Sequence, residues 1–198
     1  MFNHINSNLY HYAGNNPVRY VDPDGRTILI DGDESKTLDA INKYSYSQYQ
    51  IDNSGYLYKT DKVNKKGSKL YSEAIDRCIV DNNSEIIIRF SEDGKNYIDG
   101  KEFDIKNAYG GGATFFNSKE KDPSEIYVFF MKKGLSDKNK WEVPDSQVLM
   151  HEIVGHADPI AAGGIRDKEN ALVNENKVLD ELNRSNQKRE VEIWHTAR

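Results

Sequence analysis

Pro144-Asp145-Ser146-Gln147-Val148-Leu149-Met150-His151-Glu152-Ile153-Val154-Gly155-His156-Ala157 is the stretch on which the fold turns. Pro144-Asp145-Ser146 marks a helix start with a side-chain cap, and Val148, Leu149 and Met150 carry the chain into an apolar interior. Two of the five histidines in 198 residues then flank a glutamate on that one predicted helix. Imidazole nitrogens bind zinc well, and a neighbouring carboxylate can take a proton from water. The usual spacing of such a pair is four residues, which leaves the side chains only about 40° apart around an α-helix. Here His156 lies five beyond His151, an angle of about 140° on a regular helix and too wide for one ion. A π-type turn, in which residues i and i+5 nearly eclipse, restores convergence. Gly155 is the residue expected to allow that distortion or to end the helix.

Downstream, Gly163-Gly164 reads as a turn, and residues 167–184 as a second helix with Ala171, Leu172, Val178, Leu179 and Leu182 on one side. Glu175 falls in the middle of that apolar face. A carboxylate aimed at a core is costly unless it is paired or bound to a metal. Glu175 is therefore the leading candidate for a third metal ligand, with Glu169 and Asp158 as competing positions.

Upstream, the pattern is that of an α+β domain. Residues 27–30, 85–90 and 126–131 are β-branched or aromatic runs that predict strands, and residues 49–58 read as a hairpin about Asn53-Ser54-Gly55. Residues 35–44 predict a helix. Residues 68–80 place Leu70, Tyr71, Ala74, Ile75, Cys78 and Ile79 at three- and four-residue intervals, an amphipathic helix with Cys78 packed on its inner face. Gly110-Gly111-Gly112 beside Ala113-Thr114-Phe115-Phe116 suggests either a flexible loop or a place where backbone approaches a neighbour closely. The expected architecture is a small, mostly antiparallel sheet packed on the motif helix, with the glutamate-bearing helix after it.

Composition narrows the function classes. Hydrophobic residues make up 37% and aromatics 11%, enough for one core. Twenty-seven Lys and Arg against 32 Asp and Glu give a net charge of −5, which offers no footprint for nucleic acid or an anionic membrane. The lysines at 59, 62, 65, 66 and 69 read as a solvated loop. No apolar run approaches the roughly 18 residues of a membrane helix, so no membrane insertion is expected. The first residues lack a basic-then-apolar leader, so no cleavable signal is expected in this chain. Cys78, the single cysteine, cannot form an internal disulfide. Gly110-Gly111-Gly112 lacks the lysine of a phosphate-binding loop, and Asp31-Gly32-Asp33-Glu34 is too short for a calcium loop.

Two resemblances add to this. The motif helix, with Asn174-Glu175-Asn176 and Glu181-Leu182 after it, resembles gluzincin metallopeptidases, including those found as toxin cargo in bacteria. The likeness extends over residues 146–181 and implies a zinc cofactor, with His151 and His156 as ligands, Glu175 as third protein ligand and Glu152 as general base. Separately, Tyr10-His11-Tyr12-Ala13-Gly14-Asn15-Asn16-Pro17-Val18-Arg19-Tyr20 followed by Asp22-Pro23-Asp24-Gly25 resembles the closing signature of the RHS-repeat-associated core. In that family a β-shell ends there and a cargo toxin begins. The resemblance implies that residues 1–26 are a remnant of that shell and 27–198 the toxin domain. It also implies bacterial export within a larger protein, action in a target cell, and a cognate immunity protein as partner.

The expected function is zinc-dependent hydrolysis of a peptide or protein substrate. The oxyanion formed in that reaction needs a second donor besides the metal. His195, Tyr109 and Arg198 are the candidates. Tyr109 and Gly111 are further expected to border the cleft, where an edge strand can align an extended peptide. Two other readings stand beside this one: a different metal-dependent hydrolase toxin such as a nuclease, and a non-enzymatic binding module with structural histidines.

Overall fold

Runs of β-branched and aromatic residues form the centre of the fold. The computed structural model describes residues 27–80, 84–109, 111–116, 124–135, 142–162 and 170–188. Within it, β1 (Ile28–Ile30), β4 (Glu85–Ser91) and β8 (Glu125–Met131) lie parallel, with Ile28 opposite Ile86 and Ser91 opposite Met131. Strand β7 (Gly112–Phe116) closes the sheet antiparallel to β8, so the order is β1-β4-β8-β7. Three two-stranded antiparallel sheets surround it: β2 (Ser47–Ile51) with β3 (Leu57–Val63), β5 (Lys95–Ile98) with β6 (Lys101–Asp104), and β9 (Lys133–Leu135) with β10 (Glu142–Pro144).

The chain is thus mixed α+β, with mostly antiparallel pairing among the described strands, as expected. In the main sheet itself, two of the three pairings are parallel. The reason is the connections. Helix α1 (Glu34–Tyr44), the β2–β3 hairpin and α2 (Lys69–Val80) lie between β1 and β4 and return the chain to the same end of the sheet. Parallel strands covered on both faces read as continuous apolar runs. Ile86, Ile88, Ile126, Val128, Phe129 and Phe130 are accordingly all buried.

One face packs on the helices, in a core that joins Ile41, Tyr71, Ile75, Ile88, Phe130 and Leu149. On the other, Phe129 packs with Ile105 of α3 (Ile105–Tyr109), Ala113, Phe103 and Phe115. Cys78 is buried, as its place on α2 predicts. Helix α1 is capped by Asp33, which accepts from Lys36 N at 3.0 Å. The motif helix α4 (Asp145–Glu152) differs from expectation at its start. Its N-cap is Pro144, with no side-chain cap, because β10 runs directly into the helix. Asp145 is already its first helical residue, its carboxylate accepting from Ser146 N at 2.6 Å, where the positive end of the helix favours it.

Candidate metal centre

Helix α4 is buried from Ser146 to Glu152 on every side, the pattern of a helix driven through a core. It does not stop at Glu152. Residues Ile153–Ala157 form a π-helical turn, and α5 (Asp158–Ala161) continues from it. Asp158 N donates to Ile153 O, a five-residue step in place of the usual four. That displaces the ladder and strips Val154 O of its ordinary α-helical donor. The residue that would supply the next five-step bond is Pro159, which has no N–H. Asn174, on α6 (Asn170–Glu181), fills the gap: its Nδ2 donates to Val154 O at 3.2 Å.

Gly155 has a second role in the same turn. A Cβ there would lie 2.8 Å from Ala171 Cβ and 3.0 Å from Ala171 Cα, so only glycine lets α6 approach this closely. The π turn that the five-residue spacing requires is therefore present, and α6 supports it from the side.

Its consequence is convergence of the two histidines. The rings of His151 and His156 lie with centroids 5.1 Å apart and planes at 82°. A donor atom from each of His151, Glu152 and His156 falls within 4.8 Å of the others. His151 and Glu152 are buried and His156 is half-buried. Two imidazoles and a carboxylate around one point form a cluster that could hold a metal ion; such a donor set suits several divalent first-row metals.

Strand β7 runs beside this cluster. Thr114 Oγ1 donates to Glu152 Oε2 at 2.8 Å. A Cβ at Gly112 would meet Val148 Cγ1 at 2.6 Å and Glu152 Oε1 at 2.8 Å. The close backbone approach suggested by the three glycines thus occurs at Gly112, against the motif helix.

Glu175 is wholly buried and reaches the centre through a histidine. Its Oε2 lies 2.9 Å from His151 Nδ1, and its Oε1 accepts from Gln147 Nε2 at 2.7 Å. Asp158, a competing ligand position, makes a two-pronged ion pair with Arg77 at 2.9 and 2.7 Å. Gly111 takes a positive φ of 101° and joins α3 to β7. Its N–H donates to Ile105 O and its carbonyl accepts from Met131 N, both at 3.0 Å. Tyr109 is the last residue of α3. His195, Arg198, Glu169, Gly163-Gly164 and the RHS-like segment lie outside the described residues.

The sequence assigned no role to Thr114 or Gln147, and it drew on Asn174 only as part of the Asn174-Glu175-Asn176 run that carries the metallopeptidase resemblance. Gln147 carried a signal of its own: it precedes His151 by four residues and so shares its helix face. Comparison with protein-family models, with curated proteins and with solved structures finds no match.

Proposed function

We propose that this chain is a zinc-dependent metallopeptidase, acting as the C-terminal effector of an RHS-type polymorphic protein. The observation that carries the enzymatic part is the convergence of His151 and His156 across a π turn, with Glu152 in the same cluster. The effector part rests on the resemblance at residues 10–25. From it follow export within a larger bacterial protein and a cognate immunity protein as partner.

In this reading His151 and His156 hold the ion. When bound, zinc polarises the scissile carbonyl and makes water more acidic. Glu152 takes the proton of the attacking water and delivers it to the leaving amine. Thr114 orients that carboxylate by holding Oε2. Burial of the cluster keeps competing solvent from the base. Among the described strands, β7 stands at the edge of the main sheet, and it touches Glu152. An extended peptide added to β7 would therefore lie over the centre, consistent with cleavage of a peptide chain.

The test is Glu152→Gln, compared with wild type in zinc content and in hydrolysis of an unfolded protein substrate. The variant is expected to keep the metal and lose roughly 10²–10⁴-fold in rate. Equal hydrolysis by both proteins would remove Glu152 from the mechanism. Cleavage of nucleic acid in place of protein, abolished in the variant, would move the activity to the nuclease class.

A further inference from the structure

Glu175 was expected on the metal, yet its carboxylate contacts a ring nitrogen of His151 and the Gln147 amide. Among the described residues, the donor atoms that cluster within 4.8 Å are those of His151, Glu152 and His156. The Glu175 carboxylate instead meets His151 at Nδ1, 2.9 Å away, and is held on its other oxygen by Gln147. Gln147 and His151 are four residues apart on α4 and present one face, to which α6 brings Glu175. A buried carboxylate is tolerated only among hydrogen-bond donors or opposite charge. Both neighbours can donate to it.

We infer that Glu175, anchored by Gln147, is a positioning residue that fixes the tautomer and ring orientation of His151. The inference rests on the metal-centre reading above. A carboxylate that accepts from Nδ1 keeps the ring hydrogen there and puts the imidazole lone pair at Nε2, the form in which histidine coordinates. Carboxylate partners of this kind change metal affinity by about 10–100-fold. Gln147 in turn prevents the Glu175 side chain from swinging away from the ring.

Two substitutions separate a positioning role from direct ligation. Glutamine offers a carbonyl that accepts from Nδ1–H, but zinc sites draw on Cys, His, Asp and Glu. Gln147 Oε1 has no hydrogen-bond partner among the described residues, so that amide can turn to receive the new NH₂ of Glu175→Gln. In the full chain, zinc affinity is measured by competition with a chromophoric chelator. Glu175→Gln is expected to stay within about ten-fold of wild type, and Glu175→Ala to fall about 10–100-fold. In the metal-free protein, nitrogen-15 NMR of the imidazoles is expected to show His151 as the Nδ1–H tautomer in wild type and as a mixture in Glu175→Ala.

Loss of zinc in both variants alike would make Glu175 a ligand and overturn the inference. So would an Nε2–H tautomer at His151 in wild type. Either result leaves the metal centre standing. If wild type itself binds no zinc, the metal-centre reading falls and the positioning role with it. Should Glu175→Ala fail to fold, the wild-type tautomer and the Glu175→Gln affinity still decide.

Discussion

Thr114 and Gly112 show how much of the centre depends on single atoms of β7. Thr114 Oγ1 is the donor that fixes one oxygen of Glu152. Thr114→Val keeps the side-chain shape and removes only that donor, so hydrolysis is expected to fall roughly 10–100-fold with zinc content unchanged. An unchanged rate would show that the hydrogen bond does not orient Glu152 for the proposed reaction. Gly112→Ala places a methyl 2.6 Å from Val148 Cγ1 and 2.8 Å from Glu152 Oε1. It is expected to lower unfolding free energy by about 1–3 kcal/mol in a denaturant titration. Stability equal to wild type would mean that β7 can move off the motif helix freely. The three central motif residues were legible in the sequence because histidine is scarce, five in the chain, and a glutamate flanked by two of them is chemically specific. Thr114 was not, because a threonine in a strand is common and only the fold brings it to a carboxylate 38 positions away.

At the scale of elements, the π turn is where sequence and structure meet most closely. A five-residue step between two histidines that must converge demands a wider turn, and Ile153–Ala157 supplies it. The sequence did not disclose what holds that turn in place. Gly155 faces Ala171 of α6, and Asn174 of the same helix serves the carbonyl that the turn leaves exposed. Those contacts depend on how two helices cross. Gly155→Ala should cost about 1–3 kcal/mol, because the added methyl meets α6 at Ala171 Cα as well as Cβ and cannot turn away. Adding Ala171→Gly should recover part of the loss, a coupling read in a double-mutant cycle. Simple additivity of the two changes would refute the close approach. A missed element has the opposite lesson. The β5–β6 hairpin turns on Asp99-Gly100, with φ of 51° and 77°, the signature of a two-residue turn. The signal was in the sequence, but strands of only four residues, with one clear apolar step in each, gave little alternation to read.

For the whole molecule, alkaline pH is the sharpest probe of the core. Tyr49 has its phenol pushed well above the ordinary value, first by burial and then by the nearby Asp76 carboxylate; Tyr71, fully buried, is raised by burial. The unfolded chain sheds these protons near pH 10 while the folded chain keeps them. The stability they contribute is fully present below about pH 10 and is lost as pH rises above it. Denaturant midpoints should therefore fall between pH 9 and pH 11, about the phenol value, and the fall should be shallower in Tyr49→Phe. A pH-independent midpoint would show the two phenols ionising alike in both states. Tyr71 OH is buried without a hydrogen-bond partner among the described residues, so Tyr71→Phe should be neutral or stabilising at pH 7. The α+β class and the strands β1, β4 and β8 followed from their β-branched runs. The parallel order of the main sheet did not, because strand direction is set by connections and not by composition. That sheet and α6 pack around one buried helix whose π turn gathers His151, Glu152 and His156 into a cluster that could hold a metal ion. The most direct measurement of the central claim is metal content by elemental analysis of wild type and His156→Ala, after dialysis and exposure to zinc. About one zinc per wild-type chain, lost in the variant, is the expected result. A folded wild-type protein that retains none would contradict it.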